Sequence, residues 1–168
     1  MKRTLFIVFL ILINIVLDQV SKFWVRASVT KGSKSEIIGD YFTLHNVENS
    51  GAFLGMGSDL AGLPRVLFLL LIPSAVMAYV LFYVFKNKNL EQASVIGFSC
   101  IIGGGMANVY DRFVYGSVTD FFFINLGGVF KTGIFNIADM SVMLGLGLLL
   151  FDAFNAKKKL KIKNENNL

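Results

Sequence analysis

The fold is decided by residues 103–139, which read GGGMANVYDRFVYG at 103–116, SVTDFFFI at 117–124 and FNIAD at 135–139. Long apolar blocks flank this stretch, yet it carries several charged and amide side chains. They are Asn108, Asp111, Arg112, Asp120, Asn136 and Asp139. An ionised side chain at the centre of a membrane-spanning helix costs about 2.5–3.5 kcal/mol on insertion scales. Polar residues that occur despite such a cost predict a functional site.

The composition indicates a helical membrane protein. Of the 168 residues, 55% are hydrophobic and 16% are charged, and the mean hydropathy is +0.65. Soluble domains have about 45–50% apolar and about 25% charged residues. The apolar residues form blocks that predict four spans, at about residues 4–24, 65–85, 93–112 and 136–155. We interpret residues 1–168 as one membrane-embedded domain.

The formal net charge of +5 is concentrated beside the predicted spans. The basic residues are Lys2, Arg3, Lys86, Lys88 and five lysines within residues 157–163. The positive-inside rule then predicts a multi-pass protein with both termini, including the basic tail 157–168, in the cytoplasm. Residues 26–63 and 113–135 are predicted to lie outside. A lysine cluster that flanks a span favours membrane lipids, and not nucleic acid, as its partner.

The first apolar block ends in a charged pair. Asp18 and Lys22 are four residues apart, so they share one face of a helix and can form an ion pair. The pair is explained either as a structural tether at the outer end of this helix or as part of a site. No small-residue cleavage site follows the block, so we expect an uncleaved first span.

Residues 26–63 are mixed in polarity and contain short β-prone pieces. Residues 41–45 alternate enough for a half-buried strand, and residues 46–53 are predicted to form a turn. Within that turn, Asn49 and Gly51 either stabilise the turn itself or contact an extended peptide that lies along the strand.

The later spans carry the remaining polar residues. Asn108, Asp111 and Arg112 have the spacing i, i+3 and i+4, which places them on one side of a helix. The glycine run 103–105 predicts close helix packing, and Pro73 predicts a kink in the second span. Residues 118–124 are predicted to form a strand, followed by a short hairpin over residues 126–131.

Asn136 and Asp139 begin the fourth span. Their spacing is also typical of a helix N-cap with an acid in the first turn, so capping alone could explain both residues. However, the predicted topology places all the polar residues named above near the outer boundary of the membrane. That common depth favours one shared site.

Carboxylates are the only catalytic groups that this site has in quantity. His45 is the sole histidine, too few for a convincing Ser/His/Asp triad or a zinc site. A Ser–Lys pair with Lys22 is weakly supported. Two aspartates held close together share a proton, so one can activate water while the other protonates a carbonyl oxygen. Asp120 and Asp139 are the best pair for such peptide hydrolysis, without metal or cofactor.

Five motifs in this order resemble those of the lipoprotein signal peptidases, the signal peptidase II family of bacterial membrane aspartic peptidases. They are Asp18-x-x-x-Lys22, Asn49-x-Gly51-Ala52, Asn108-x-x-Asp111-Arg112, Val118-x-Asp120-Phe121 and Phe135-Asn136-x-Ala138-Asp139. The chain departs from the family pattern at Phe53 and Leu54, where an alanine and an aromatic residue are usual, and at Ala107, where a glycine is usual. Both departures concern the shape of the pocket.

The resemblance implies an all-α bundle of four transmembrane helices with a small extracytoplasmic β-cradle, in the bacterial inner membrane. It implies Asp120 and Asp139 as the catalytic pair and a diacylglyceryl-modified prolipoprotein as substrate, cut just before its lipidated cysteine. The remaining motif residues would bind substrate or support the site. They are Asn49, Gly51, Asn108, Asp111, Arg112, Asn136, Ala138, Asp18 and Lys22. We expect a monomer.

Two other functions remain as alternatives. A proton-coupled transporter would use the aspartates as a relay, but it should place acids near mid-bilayer, and such proteins often have inverted repeats. A structural subunit would use the polar residues only to join helices, which leaves their common depth unexplained.

Overall fold

The computed structural model describes residues 2–52 and 55–165. Over these residues the chain forms four long helices and one three-stranded antiparallel sheet. The helices are α1 (Lys2–Ser28), α2 (Gly62–Lys86), α3 (Gln92–Tyr115) and α4 (Ile137–Glu165). The strands are β1 (Lys34–Ile38), β2 (Phe42–Asn49) and β3 (Val118–Ile124), in that order across the sheet. All four helices are long and apolar enough to cross a membrane, so the predicted fold class is confirmed.

The helices extend further than the apolar blocks that predicted them. Helix α1 continues to Ser28, and helix α4 continues through the first part of the basic tail to Glu165. The predicted limits followed the loss of apolar side chains, whereas backbone hydrogen bonds continue a helix through polar ones. Residues 166–168 of the tail lie outside the described residues.

Helix α2 changes its winding at Pro73. Residues Leu67–Leu71 form a π-helical turn, and Ile72–Lys86 continue as α-helix with the proline in the first turn. Proline lacks an N–H and its ring crowds the preceding turn, so a widened turn accommodates it. The hydroxyl of Ser74 donates to the carbonyl oxygen of Leu70 at 2.6 Å.

Helix α3 is the centre of the bundle. Half of the residues in its most apolar 18-residue stretch are buried, compared with 6–17% of the residues in the corresponding stretches of the other helices. Three consecutive glycines face three different helices. A side chain at Gly103 would meet Asn14 of α1, at Gly104 the backbone of Ala138 in α4, and at Gly105 Met77 of α2. The predicted close approach is confirmed, and it involves all three neighbours.

The sheet joins the bundle at the end of α1. Strand β2 has a bulge between Leu44 and Val47, and a bulge re-aims a side chain. Here the amide of Asn46 donates to the carbonyl oxygen of Val29 at 2.7 Å, just beyond α1. The prediction of a turn over residues 46–53 is therefore wrong for residues 46–49, which are strand. Local sequence favoured a turn, but pairing with β3 and this contact favour the strand.

The hairpin predicted over residues 126–131 is reduced to a single bridge. Asn125 pairs with Lys131 as an isolated antiparallel bridge, and Phe122 pairs likewise with Phe135. The second bridge brings the chain back beside β3 immediately before α4 begins. It places Asn136 next to the strand that carries Asp120.

Candidate active site

Lys22 is the cation at the centre of a buried polar cluster. Its Nζ lies 2.7 Å from Asp18 Oδ2 and 2.6 Å from Asp111 Oδ2, and all three side chains are fully buried. It also donates to Asn108 Oδ1 at 2.7 Å. The predicted Asp18–Lys22 pair is confirmed. Because the same lysine contacts two residues of α3, it is more than a tether within one helix.

Asn108 and Arg112 extend this cluster towards the sheet. Asn108 Nδ2 donates to Asp139 Oδ1 at 3.0 Å. Arg112 Nη2 donates to the carbonyl oxygen of Gly51 at 2.8 Å, and its Nη1 donates to the carbonyl oxygen of Asn108 at 3.2 Å. The Nε of Arg112 is buried and has no partner within the described part of the chain. A buried donor of this kind is costly unless a ligand satisfies it.

Asn136 and Asp139 form a reciprocal capping box at the start of α4. Asp139 N–H donates to Asn136 Oδ1 at 2.9 Å, and Asn136 N–H donates to Asp139 Oδ2 at 3.1 Å. The capping interpretation is therefore confirmed. It does not compete with a role in the site, because Asp139 Oδ1 is directed to Asn108 and the Asn136 amide is directed to Asp120.

Asp120 is held by two amide side chains. Asn136 Nδ2 donates to its Oδ1 at 2.7 Å, and Asn49 Nδ2 donates to its Oδ2 at 2.9 Å. Burial raises the pKa of Asp120 to about 6, the hydrogen bond from Asn49 opposes this rise, and the charge of Asp139 adds to it. Desolvation and a like charge are the two usual reasons for a raised carboxyl pKa.

Asn49 and Gly51 fix the chain that leaves β2. Gly51 N–H donates to Asn49 Oδ1 at 2.9 Å, which is the local turn that the sequence allowed. A Cβ at Gly51 would lie 2.6 Å from the carbonyl oxygens of Gly55 and Met56, so only glycine fits. Phe53 and Leu54, where the chain departs from the family pattern, lie outside the described residues.

Three cavities meet at Asp139. The smallest, about 10 Å³, has both aspartates in its wall, and this is about the space of one water molecule. An apolar groove of about 390 Å³ runs between α2, α3 and α4. A third cavity of about 250 Å³ lies towards the loop before α4. The groove is lined by Ala52, Phe68, Leu69, Pro73, Gly105, Asn108, Val109, Arg112, Asp139, Val142, Met143 and Leu146.

All the residues predicted for the site thus belong to one hydrogen-bonded cluster. Ala138 is fully buried, and its N–H donates to Asp18 Oδ1 at 2.8 Å. Ala107, the other departure from the family pattern, is also fully buried, and its carbonyl oxygen faces Gln19 Nε2 at 3.4 Å.

Sequence reasoning missed Gln19 and Arg26. Gln19 donates to both Asp18 Oδ2 and Asp111 Oδ1, at 3.2 and 3.1 Å. Arg26 follows Asp18 and Lys22 at the same four-residue spacing, which was a usable signal.

His45 is bonded within the sheet. Its Nε2 lies 2.8 Å from Thr43 Oγ1, and its ring packs on Phe123. Across residues 2–52 and 55–165, the His, Cys, Asp and Glu side chains form no group of three or more that could hold a metal ion.

Known proteins share both the sequence pattern and the fold. Residues 10–155 match the family model of signal peptidase (SPase) II. The lipoprotein signal peptidase of Clostridium tetani is 35% identical over 143 residues, which cover 85% of this chain and 88% of that protein. The lipoprotein signal peptidase of Pseudomonas aeruginosa PAO1 is 33% identical over 143 residues, with coverage of 85% and 84%.

Two solved structures described as bacterial membrane enzymes have the same architecture. One superposes with a TM-score of 0.79 at 24% identity and covers 91% of this chain and 90% of its own. The other has a TM-score of 0.74 at 25% identity, with coverage of 86% and 90%.

Proposed function

The chain belongs to the signal peptidase II family, and on this premise we propose that it removes signal peptides from lipidated prolipoproteins, just before the lipidated cysteine. The family that the motifs predicted is therefore confirmed, and the chain is a membrane-embedded peptidase. The comparisons give the transporter alternative no support.

Asp120 and Asp139 are the proposed catalytic pair. The observation that carries this assignment is that Asn136 contacts both: its side chain donates to Asp120 and its backbone N–H to Asp139. Both aspartates also line the small cavity of about 10 Å³ described above. Each carboxyl oxygen of the pair has an amide donor, so both groups are held in fixed positions before substrate arrives, as catalysis by positioned groups requires.

The proposed reaction is hydrolysis by water. The ionised carboxylate accepts a proton from water while the water oxygen attacks the scissile carbonyl carbon, and the protonated carboxyl donates its proton to the carbonyl oxygen. The tetrahedral intermediate then collapses. Its C–N bond breaks, and the leaving amine takes a proton from the carboxyl that first accepted one. The other carboxylate takes back a proton from a hydroxyl of the intermediate as the product carboxylic acid forms. The peptide acid and the amine leave, and the pair again holds one proton.

The neighbouring residues have two proposed roles. Arg112 is the proposed substrate contact, because its Nε has no partner among the described residues and because Arg112 lines the small cavity together with both aspartates. Asn49, Gly51, Asn108 and Asn136 position the acids and the peptide. Four residues support the cluster from behind, and they are Asp18, Lys22, Asp111 and Ala138.

The apolar groove is the proposed place for an acyl chain of the substrate. It begins at Asp139 and Arg112 and continues between helices whose other faces are exposed and apolar. A lipidated cysteine at the aspartates would then keep its chains in an apolar setting.

The proposed orientation in the membrane follows the basic residues. Both termini lie in the cytoplasm, and the aspartates lie near the outer leaflet. One chain is sufficient to form the proposed site, and the proposed state is a monomer surrounded by membrane lipids.

The test is cleavage of a purified lipidated prolipoprotein, followed by mass spectrometry of the products. The wild-type protein should release the signal peptide at the bond before the lipidated cysteine. Asp120→Asn and Asp139→Asn keep side-chain volume and should lower turnover by about 10²–10⁴-fold while remaining inserted and folded. Normal turnover by either variant would remove the catalytic assignment.

A further inference from the structure

The two proposed catalytic acids belong to separate parts of the fold. Asp120 lies on β3 and Asp139 lies in the first turn of α4. Helix α1 contacts both parts. One contact was described above: Asp18 Oδ1 accepts the N–H of Ala138, the residue before Asp139, at 2.8 Å. This contact fixes the start of α4 against α1.

The second contact comes from Arg26, two helical turns further along α1. Its Nε donates to Thr119 Oγ1 at 2.7 Å, and Thr119 is the residue before Asp120. The hydroxyl of Thr119 in turn donates to Glu48 Oε1 at 2.7 Å. Because side chains alternate along a strand, Thr119 and Glu48 lie on the sheet face opposite to Asp120 and Asn49.

Thr119 and Glu48 are also paired across the two strands. They are partners in the β2–β3 register, directly beside the pair of Asn49 with Val118. Ser117 Oγ donates to Glu48 Oε2 at 2.5 Å. Arg26 therefore joins α1 to one face of the sheet, at Thr119 and Glu48. The residues next to these two in sequence, Asp120 and Asn49, lie on the opposite face, where the proposed site is.

The guanidinium of Arg26 is itself held on several sides. Its Nη2 lies 3.4 Å from Asp111 Oδ1, and its central carbon lies 4.0 Å from the ring centre of Tyr115. Its side chain is 23% exposed. A planar guanidinium with several donors can join groups in different directions, which a lysine ammonium does less well.

We propose that Arg26 is a positioning residue that sets the alignment of Asp120 with Asp139 by fixing β3 to α1. This proposal rests on the proposed function, since it concerns the same two acids. Asp18 fixes the α4 side and Arg26 fixes the β3 side, so α1 is the common frame of the pair. Arg26 touches neither acid and contacts no part of the proposed reaction directly.

The test is the kinetics of Arg26→Gln, Thr119→Val and the double variant with the lipidated precursor. Each single substitution breaks the same hydrogen bond from one side, and each also removes contacts of its own, those of Arg26 with Asp111 and Tyr115 and that of Thr119 with Glu48. A small misalignment of reacting groups costs up to about 10²-fold in rate, so we expect kcat to fall about 10–100-fold. KM should stay within about twofold of wild type, because no substrate contact is lost. The loss in the double variant should be smaller than the product of the two single losses, because the two residues share one link.

Arg3→Gln is the matched control. Arg3 is also an α1 arginine that joins the helix to another element, through bonds to the carbonyl oxygens of Val84 and Asn87 at 3.0 and 2.9 Å. It lies at the other end of the helix, so its loss should leave kcat unchanged. All variants are compared at equal folded fraction.

Four results would overturn the proposal. They are a wild-type kcat in Arg26→Gln, a loss of activity in Arg26→Gln that comes from a higher KM and not from a lower kcat, a kcat in the double variant that falls by the full product of the two single losses, and a loss of kcat in Arg3→Gln equal to that in Arg26→Gln. The wild type and Asp120→Asn, measured in parallel, separate this outcome from failure of the proposed function. An inactive wild type or an active Asp120→Asn would remove both proposals. An active wild type and an inactive Asp120→Asn, together with an unimpaired Arg26→Gln, would remove only the proposal for Arg26.

Discussion

The two ends of helix α1 hold their neighbours by different means. At one end Arg3 donates to two backbone carbonyl oxygens beyond and within α2. The packing beside it is an apolar cluster that includes Ile7, Val84 and Val95. At the other end Lys22 is fully buried between the carboxylates of Asp18 and Asp111, and this cluster extends to both proposed catalytic acids.

The difference shows which polar groups the bundle needs for packing alone. One arginine and apolar side chains suffice to join helices at the Arg3 end. A buried ion pair adds little net stability relative to a well-packed apolar pair, because desolvation offsets the attraction. The charges at the Lys22 end are therefore better explained by the requirements of the site than by those of the fold. The first prediction below compares these two ends of α1, and the second makes the same comparison along α4, between Asp139 and Asp152.

The largest expected effect on stability is that of Lys22→Met. The substitution leaves Asp18 without its cation and, among the described cations, leaves Asp111 with only Arg26, at 3.4 Å. Breaking a buried pair in this way costs about 3–5 kcal/mol. Arg3→Met is the matched change at the other end, and loss of charged hydrogen bonds to backbone should cost about 1.5–3 kcal/mol. Thermal unfolding in detergent micelles measures both. Equal losses, or a larger loss for Arg3→Met, would contradict the comparison.

The smallest expected effect is that of Asp152→Asn. Asp152 lies on the same helix as Asp139, about 20 Å further along it by the rise per residue. It accepts a hydrogen bond from Ser94, and the oxygen of an asparagine can accept the same bond. Cleavage of the lipidated precursor should change less than about twofold. A loss like that of Asp139→Asn would mean that carboxylates at both ends take part in the reaction.

Much of the fold was predictable because the membrane imposes simple rules on a chain. A span needs about twenty apolar residues, and polar residues at the same ends of successive spans must lie at one depth. These rules gave the four helices and brought Asp18, Asn108 and Asp139 together. The spacing of Asn136 and Asp139 also predicted a helix N-cap with an acid in the first turn, and the structure contains that cap.

What could not be predicted depends on contacts between residues far apart in the sequence. The sequence around Asn46 favours a turn. The residue lies in a strand instead, because its side-chain amide donates to the carbonyl oxygen of Val29 just beyond α1. Arg26 has its partner Thr119 on a distant strand. No spacing within one helix or strand reports such a contact, so only the assembled fold identifies it.

The central claim is that Asp120 and Asp139 act as a coupled pair that shares one proton. Infrared titration of the purified protein tests it by following the carboxylic acid band that Asp120→Asn removes. In the wild type this band should disappear with a midpoint near pH 6, since the pKa of Asp120 is raised to about 6. The charge of Asp139 contributes to that rise, so Asp139→Asn should move the midpoint to lower pH. A midpoint that stays unchanged in Asp139→Asn would show that the two acids titrate independently and would contradict the claim.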